Sequence, residues 1–498
     1  MKKLFYSVCS LHHPHTGILL DKLLADKNKG IEVILAYCSQ ALPSCISNKN
    51  GNKGICWLCQ HMYRNIVNEY LKDIQVIPIN SKDFKPCSMK FEYDDIKDLR
   101  NISYRDVHIG LSLLSFYITF TRKTEGIVSK EHRQYFDAIL SALCSFIDYA
   151  YDFIEGVNPD VITIFNGRMF ESRLFFEIAK AKNIKFESLE VDGGFGEPFY
   201  RVEFEGDLPH SIKLRTKLIN ELWEKTKLSG DEREKLAESF YYNRRHNVPA
   251  ADRVYTGAQK KGLLPDNYNP DVPNVIIFNS SEDEFAALGG EWEEDKLFET
   301  QKETVEFVLE HVHPNVHVYL RIHPHLKGVE AKYHTELYEL SSKPNLTIIP
   351  PESPISSYAL LDVADKVIVM GSTMGVESCF WGKPVINLRK SWYDHLDVSY
   401  IPKSINEFDR LLKENIPSKD KIGALKYGFY FMERDESVEK DNYINFNTYT
   451  SKFMGKPIGD VVDYLKMFGS STIFKIFSIK FYKHAVKYFK NTVPFPGC

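Results

Sequence analysis

The sequence predicts an α/β protein of two doubly wound domains facing a cleft, followed by a C-terminal helical tail. Three observations carry that expectation. The chain has 498 residues, more than one hydrophobic core usually holds. Short apolar runs alternate with amphipathic helical stretches, the pattern of parallel strands joined by helical crossovers. The alternation occurs twice, with a polar helical stretch at 211–246 between the two occurrences. The domains that follow from this are 1–248, 249–415 and a tail, 416–498.

Taken in order, KLFYSVCS is a first strand, TGILLDKLLADKNKG a helix, IEVILAYCS a strand and IQVIPI (74–79) another. Two long helical patterns fill 106–157. PDVITIFNGRMFESRLFFEIAKAKNIKFESLEVDGG then reads as strand, tight turn, amphipathic helix, strand and glycine-rich loop, a βαβ unit. The stretch 211–246 ends in YYNRRHNVP and reads as a connector. The pattern restarts with the strands NVIIFNSS, VHVYLRIHPH, NLTIIPP, KVIVMGST and KPVINL, with helices at 297–312, 330–342, SSYALLDVA and GVESCFWG between them. Two Rossmann-like halves around a cleft are the GT-B arrangement, which serves transferases, epimerases and phosphotransferases alike.

Composition narrows the class. With 43% hydrophobic and 26% charged residues the chain is an ordinary globular protein. A formal net charge of −4 argues against a nucleic-acid binder. The longest apolar run, GLSLLSFYITF, is too short to cross a bilayer. No small-residue cleavage site follows MKKLFYSVCSLHHPH, so it reads as a strand rather than a leader. That points to the cytoplasm, where the nine cysteines are thiols or metal ligands.

Candidate site residues gather where strands end, because ligands of open α/β sheets bind at the carboxyl ends of strands. In RIHPHLKG, Pro324 ends the strand and turns His323 outward, where imidazole can donate to a phosphate or, protonated, offset a departing nucleotide's charge. Arg321 is placed to assist. In KVIVMGSTMGVES, Gly371, Ser372 and Thr373 open a helix as a phosphate cradle, and Glu377 on its first turn suits a ribose or sugar hydroxyl. An N-cap with a capping-box partner explains the same residues without a ligand. Ser280, Ser281 and Glu282 follow another strand of the same half. In the first half, Asp192 and Glu190 share a strand face, and either can take a proton from an acceptor hydroxyl. Asn166 and Arg168 close the preceding strand as acceptor-binding candidates. Cys38, Cys45, Cys56 and Cys59 form C-x6-C-x10-C-x2-C, a candidate structural zinc site, with Cys38 also readable as a core thiol. The tail carries Lys466, Lys475, Lys480, Lys483, Lys487 and Lys490 among aromatics and almost no acid. That composition suits an anionic membrane surface, or a helix packed on the first domain.

Together the strand-end Asp-Gly, the His-Pro and the Gly-Ser-Thr loop with downstream Glu377 and Gly-Lys-Pro-Val resemble bacterial capsular-polysaccharide glycosyltransferases. They are most similar to the group of Kdo transferases and bacterial sialyltransferases. The resemblance spans about 160–390. It implies Asp192 as general base, His323 and Pro324 at the nucleotide phosphate, and Ser372 and Thr373 as cradle. It implies inverting transfer without a metal cofactor, from a nucleotide sugar to a glycan or lipid-linked glycan of a capsule or lipopolysaccharide. Val191 stands where those families carry an acid before the Asp. Glu190 therefore shares the assignment of base, and beside a favoured CMP-sugar a UDP- or TDP-sugar remains open. A polyol-phosphate transferase using a CDP-alcohol, and a non-catalytic assembly protein, are the alternatives.

Overall fold

In the computed structural model the described residues are 1–8, 15–192, 200–248, 257–294, 296–433, 452–453, 456–457 and 494–496. The chain divides into two compact units, one formed chiefly by Met1–Asp192 with Phe199–Pro209, the other by His210–Glu436.

The first unit runs β1 (Lys2–Ser7), α1 (His15–Asn28), β2 (Glu32–Cys38), α2 (Lys53–Tyr70), β3 (Gln75–Ile79), α3 (Ile109–Thr121), α4 (Lys130–Val157), β4 (Val161–Phe165), α5 (Phe170–Ala181), β5 (Lys185–Asp192) and β6 (Tyr200–Glu205). Its sheet order is β3-β2-β1-β4-β5-β6, parallel except for β6, which pairs antiparallel with β5. The sequence reading contains neither β6 nor α2. The glycines and asparagines before α2 conceal its start, where Asn52 caps the N–H groups of Gly54 and Ile55.

Beneath β1, β5 and β6 lies a buried ion network. Lys3 reaches Asp26 at 2.7 Å and Glu187 at 3.3 Å. Lys22 reaches Asp26 at 3.2 Å, Glu187 at 3.3 Å and Glu203 at 2.7 Å. Burial alone would lower the Lys22 ammonium, but Glu187, Glu203 and Asp26 outweigh it and raise it. Removing one cation strands buried carboxylates. Lys22→Met is therefore expected to cost about 3–5 kcal/mol in urea unfolding; a loss under about 0.5 kcal/mol, the range of ordinary surface substitutions, would mean the network is solvated.

The second unit runs α6 (Ile212–Lys225), α7 (Gly230–Arg245), β7 (Asn274–Phe278), α8 (Gln301–His311), β8 (His317–Arg321), α9 (Lys332–Thr335), β9 (Leu346–Ile349), α10 (Ser357–Asp362), β10 (Lys366–Val369), α11 (Met374–Phe380), β11 (Val385–Asn387), α12 (Ile405–Lys413) and α13 (Ile422–Met432). Its five strands are all parallel, in order β11-β10-β7-β8-β9. Alternate strand residues feed two cores, as period-2 geometry requires. Val275, Ile277, Val318, Leu320 and Ile368 meet α8 and α12 on one face. Ile276, Phe278, Tyr319, Val367 and Val369 meet α10 on the other.

The expected boundaries at 248 and 415 do not hold. Ile219, Phe240 and Tyr241 of α6 and α7 share a cluster with Val376 and Cys379 of α11 and Ala424, Tyr427 and Tyr430 of α13. At Gly428 a Cβ would lie 2.6 Å from the Ala237 carbonyl, so α13 sits directly on α7. The stretch read as a connector is thus part of the second unit, and 416–433 is not tail. The tail lysines lie outside the described residues. Phe495 is described: it is buried in the first unit among Phe116, Tyr117, Phe120 and Tyr135, with its N–H 3.0 Å from Asn50 Oδ1. Among the described residues no helix is long and apolar enough to cross a membrane.

Candidate functional site

In the second unit the strand order reverses between β7 and β10, the switch point where doubly wound folds bind ligands. A cavity of about 340 Å³ opens there. Ser280, Ser281, Arg321, His323, Pro324, Gly371, Ser372, Thr373 and Glu377, all singled out from the sequence, line it together.

His323 is held at three points. Its N–H donates to Asn279 Oδ1 at 2.7 Å, its Nδ1 accepts the His325 N–H at 3.2 Å, and Pro324 opens the following turn. With Nδ1 as acceptor, the neutral ring carries its proton on Nε2. Burial pushes the imidazole down to about 4, with Glu284 opposing and His325, Arg321 and Arg244 adding to the fall. The ring is therefore a neutral donor at pH 7, not the imidazolium that the sequence also allowed. A folded pKa below the ordinary value of about 6.5 means stability that is complete above pH ~6.5 and lost as pH falls toward 4. The melting temperature of wild type is expected to drop more than that of His323→Gln across this window; parallel curves would contradict it.

Arg321 is 2% exposed, and its guanidinium donates to the carbonyls of Pro350 and of Ser353 (3.4 Å). Burial lowers it to about 10, so it stays cationic. Glu352 opposes that fall electrostatically, and the guanidinium gives the wall a fixed positive charge. Gly371 holds φ +83°, and a Cβ there would lie 2.6 Å from the Lys390 carbonyl. Gly371→Ala is expected to destabilise the loop by about 1–2 kcal/mol or more and to weaken ligand binding with it; unchanged melting and binding would show that the loop tolerates a side chain.

Three of the predicted residues are committed elsewhere. Ser280 Oγ donates to the Met370 carbonyl at 2.5 Å, tying the β7 loop to the end of β10, and Ser281 Oγ donates to Asp283. Their protons brace the fold and are not offered to a phosphate. Glu377 is 1% exposed and accepts from Arg244 Nε at 3.1 Å and from the Tyr358 hydroxyl, so it holds protein groups rather than a ribose. Burial raises the Glu282 carboxyl; it does not line the cavity. The sequence reading missed Arg215, Arg244 and Tyr427, which α6, α7 and α13 bring to the same cavity. The RR of YYNRRHNVP was the visible signal, hidden by its place in a polar stretch.

In the first unit Asn166, with φ +59°, donates to Glu190 Oε2 at 2.5 Å and so joins the ends of β4 and β5. Val191 N–H donates to Glu190 Oε1 at 2.9 Å. Arg168 Nε donates to Ser115 Oγ at 2.6 Å. Asp192 ends β5, and its side chain lies outside the described residues. Cys38, Cys45, Cys56 and Cys59 line one cavity of about 20 Å³, where Asn48 Nδ2 meets Cys56 Sγ at 3.2 Å. Among the described residues no three His, Cys, Asp or Glu side chains are set to hold a metal, so the zinc reading gains no ligand set. Cys56 and Cys59 stand on the helix α2, and burial pushes the Cys38 thiol up.

Fold and cavity define a pair of doubly wound units, the second carrying a cavity at its switch point lined by Arg215, Arg244, Arg321 and His323. Residues 293–470 match the family described as capsule polysaccharide biosynthesis protein, which agrees with the resemblance read from the motifs. No curated protein sequence matches the chain. Among solved structures, the β-Kdo 2,4-transferase of Thermosulfurimonas dismutans KpsC is 16% identical, over 61% of this chain and 87% of that one, with a TM-score of 0.37. The glycosyltransferase VinC in complex with dTDP is 12% identical, over 90% and 99%, with a TM-score of 0.24. The UDP-GlcNAc 2-epimerase of Neisseria meningitidis bound to UDP-GlcNAc is 11% identical, over 94% and 99%, with a TM-score of 0.21.

Proposed function

We propose that the protein is a glycosyltransferase of bacterial capsule polysaccharide assembly, with the donor's nucleotide phosphate in the second-unit cavity. The observation that supports it most is the convergence of three strand-end motifs, after β7, β8 and β10, on one cavity at the switch point. Two of the three lie within the segment that matches the capsule family. The acceptor oxygen attacks the anomeric carbon, and the bond from that carbon to the phosphate oxygen breaks with its electron pair on the nucleotide. The acceptor proton passes to Asp192 or Glu190. His323 Nε2–H and the Arg321 charge stabilise the departing phosphate, the stage at which charge develops. The donor favoured is a CMP-sugar and the transfer inverting and metal-independent, with an acceptor at the inner membrane surface.

The test is release of free nucleotide from CMP-, UDP- and TDP-sugars with capsule oligosaccharide present. Acceptor-dependent turnover of one donor is the expected result. Turnover of a CDP-alcohol alone would make the enzyme a polyol-phosphate transferase, and no turnover of any would leave an assembly protein.

A further inference from the structure

A carboxylate in the wall of a phosphate site repels the ligand unless something neutralises it. Glu377 is such a carboxylate, buried in the cavity wall. We propose that Arg244, on α7 and outside the doubly wound sheet, is a positioning residue that makes this cavity receptive to an anion, by cancelling the Glu377 charge and turning the Thr373 hydroxyl toward the ligand. The proposal rests on reading the cavity as a phosphate site.

One guanidinium does both. Arg244 Nε donates to Glu377 Oε1 at 3.1 Å, and the same group donates to Thr373 Oγ1 at 3.3 Å. Tyr358 donates to the second carboxylate oxygen. A hydroxyl that accepts from a guanidinium must direct its own proton elsewhere, and Thr373 lines the cavity. Arg244 is itself 8% exposed, held by the packing of α7 on α13 and α11. Without it, Glu377 would be a buried carboxylate stripped of its ion-pair partner. Burial raises Tyr241 of α7, Tyr358 of α10 and Tyr393 after β11. Arg245 is paired with Asp362 at 2.6 Å, and His323 is pushed down.

The experiment titrates pyrophosphate, CMP and UDP into wild type, Arg244→Gln, Arg244→Lys and the double variant Arg244→Gln/Glu377→Gln by calorimetry, all at one pH. Each variant's dissociation constant is divided by that of wild type. Arg244→Gln is expected to bind about tenfold more weakly or worse, because the Glu377 charge is then no longer cancelled. The double variant, which removes both charges, should return to within about threefold of wild type, and Arg244→Lys, which keeps the charge, should show a smaller loss than Arg244→Gln. If Arg244→Gln does not fold, the Lys and double variants carry the test. Wild-type affinity in Arg244→Gln, or a deficit unrelieved in the double variant, would overturn the proposal. Pyrophosphate binding with the expected pattern but no nucleotide binding would keep the role of Arg244 and remove the nucleotide reading; no anion bound by wild type would remove both.

Discussion

Replacing His323 with Ala is expected to lower turnover by about 10²-fold or more without unfolding the protein. The backbone there is fixed by Asn279, which holds the His323 N–H, and by Pro324, so the loop survives loss of the ring. What is lost is a donor preorganised by its own hydrogen bond. With Nδ1 engaged by the His325 N–H, the proton sits on Nε2 and the ring needs no reorganisation as the phosphate departs. The effect should fall mainly on kcat, because charge at the bridging oxygen grows in the transition state. Steady-state kinetics beside a thermal melt of the purified variant check it. Near wild-type turnover would remove His323 from the chemistry.

An effect of similar size or larger, about 10²–10⁴-fold, is expected from the acceptor's base. Asp192→Asn and Glu190→Gln each remove basicity with little change of shape. Glu190 is fixed by the Asn166 amide and by the Val191 N–H. The carboxylate that serves as base should, when amidated, abolish transfer while leaving nucleotide affinity intact, since the cavity is built from second-unit residues. Collapse in Glu190→Gln alone moves the assignment two residues along β5, and full activity in both variants places the base elsewhere.

The sequence made the second unit legible because its strands are continuous apolar runs, each ending in a polar motif, and parallel order follows from the helices between them. NVIIF, HVYLR and KVIV appear as β7, β8 and β10, and the residues after them meet in one cavity. What was not legible is what depends on long-range packing. The helices α6 and α7 are polar along most of their length, and only a stripe through Ile219, Trp223, Ala237, Phe240 and Tyr241 shows that they cover α13 and α11. No local pattern announces that Arg244 will meet Glu377, 133 residues away. The same holds for Glu377: a first-turn Glu suits a ligand or a cap, and only the fold brings Arg244 and Tyr358 to it. Ser280 and Ser281 look like phosphate ligands in isolation, yet their protons are used by Met370 and Asp283. In the first unit, α2 was hidden by the glycine- and asparagine-rich approach to it, and with it the helical setting of Cys56 and Cys59.

The most direct measurement is calorimetric titration of CMP, UDP, CDP and TDP into the wild-type protein and into His323→Ala. One nucleotide should bind wild type with a dissociation constant in the micromolar to sub-millimolar range, about −8 to −5 kcal/mol, and bind the variant more weakly. Binding of none of the four, or binding of equal strength in both proteins, would contradict the placement of a nucleotide phosphate in this cavity.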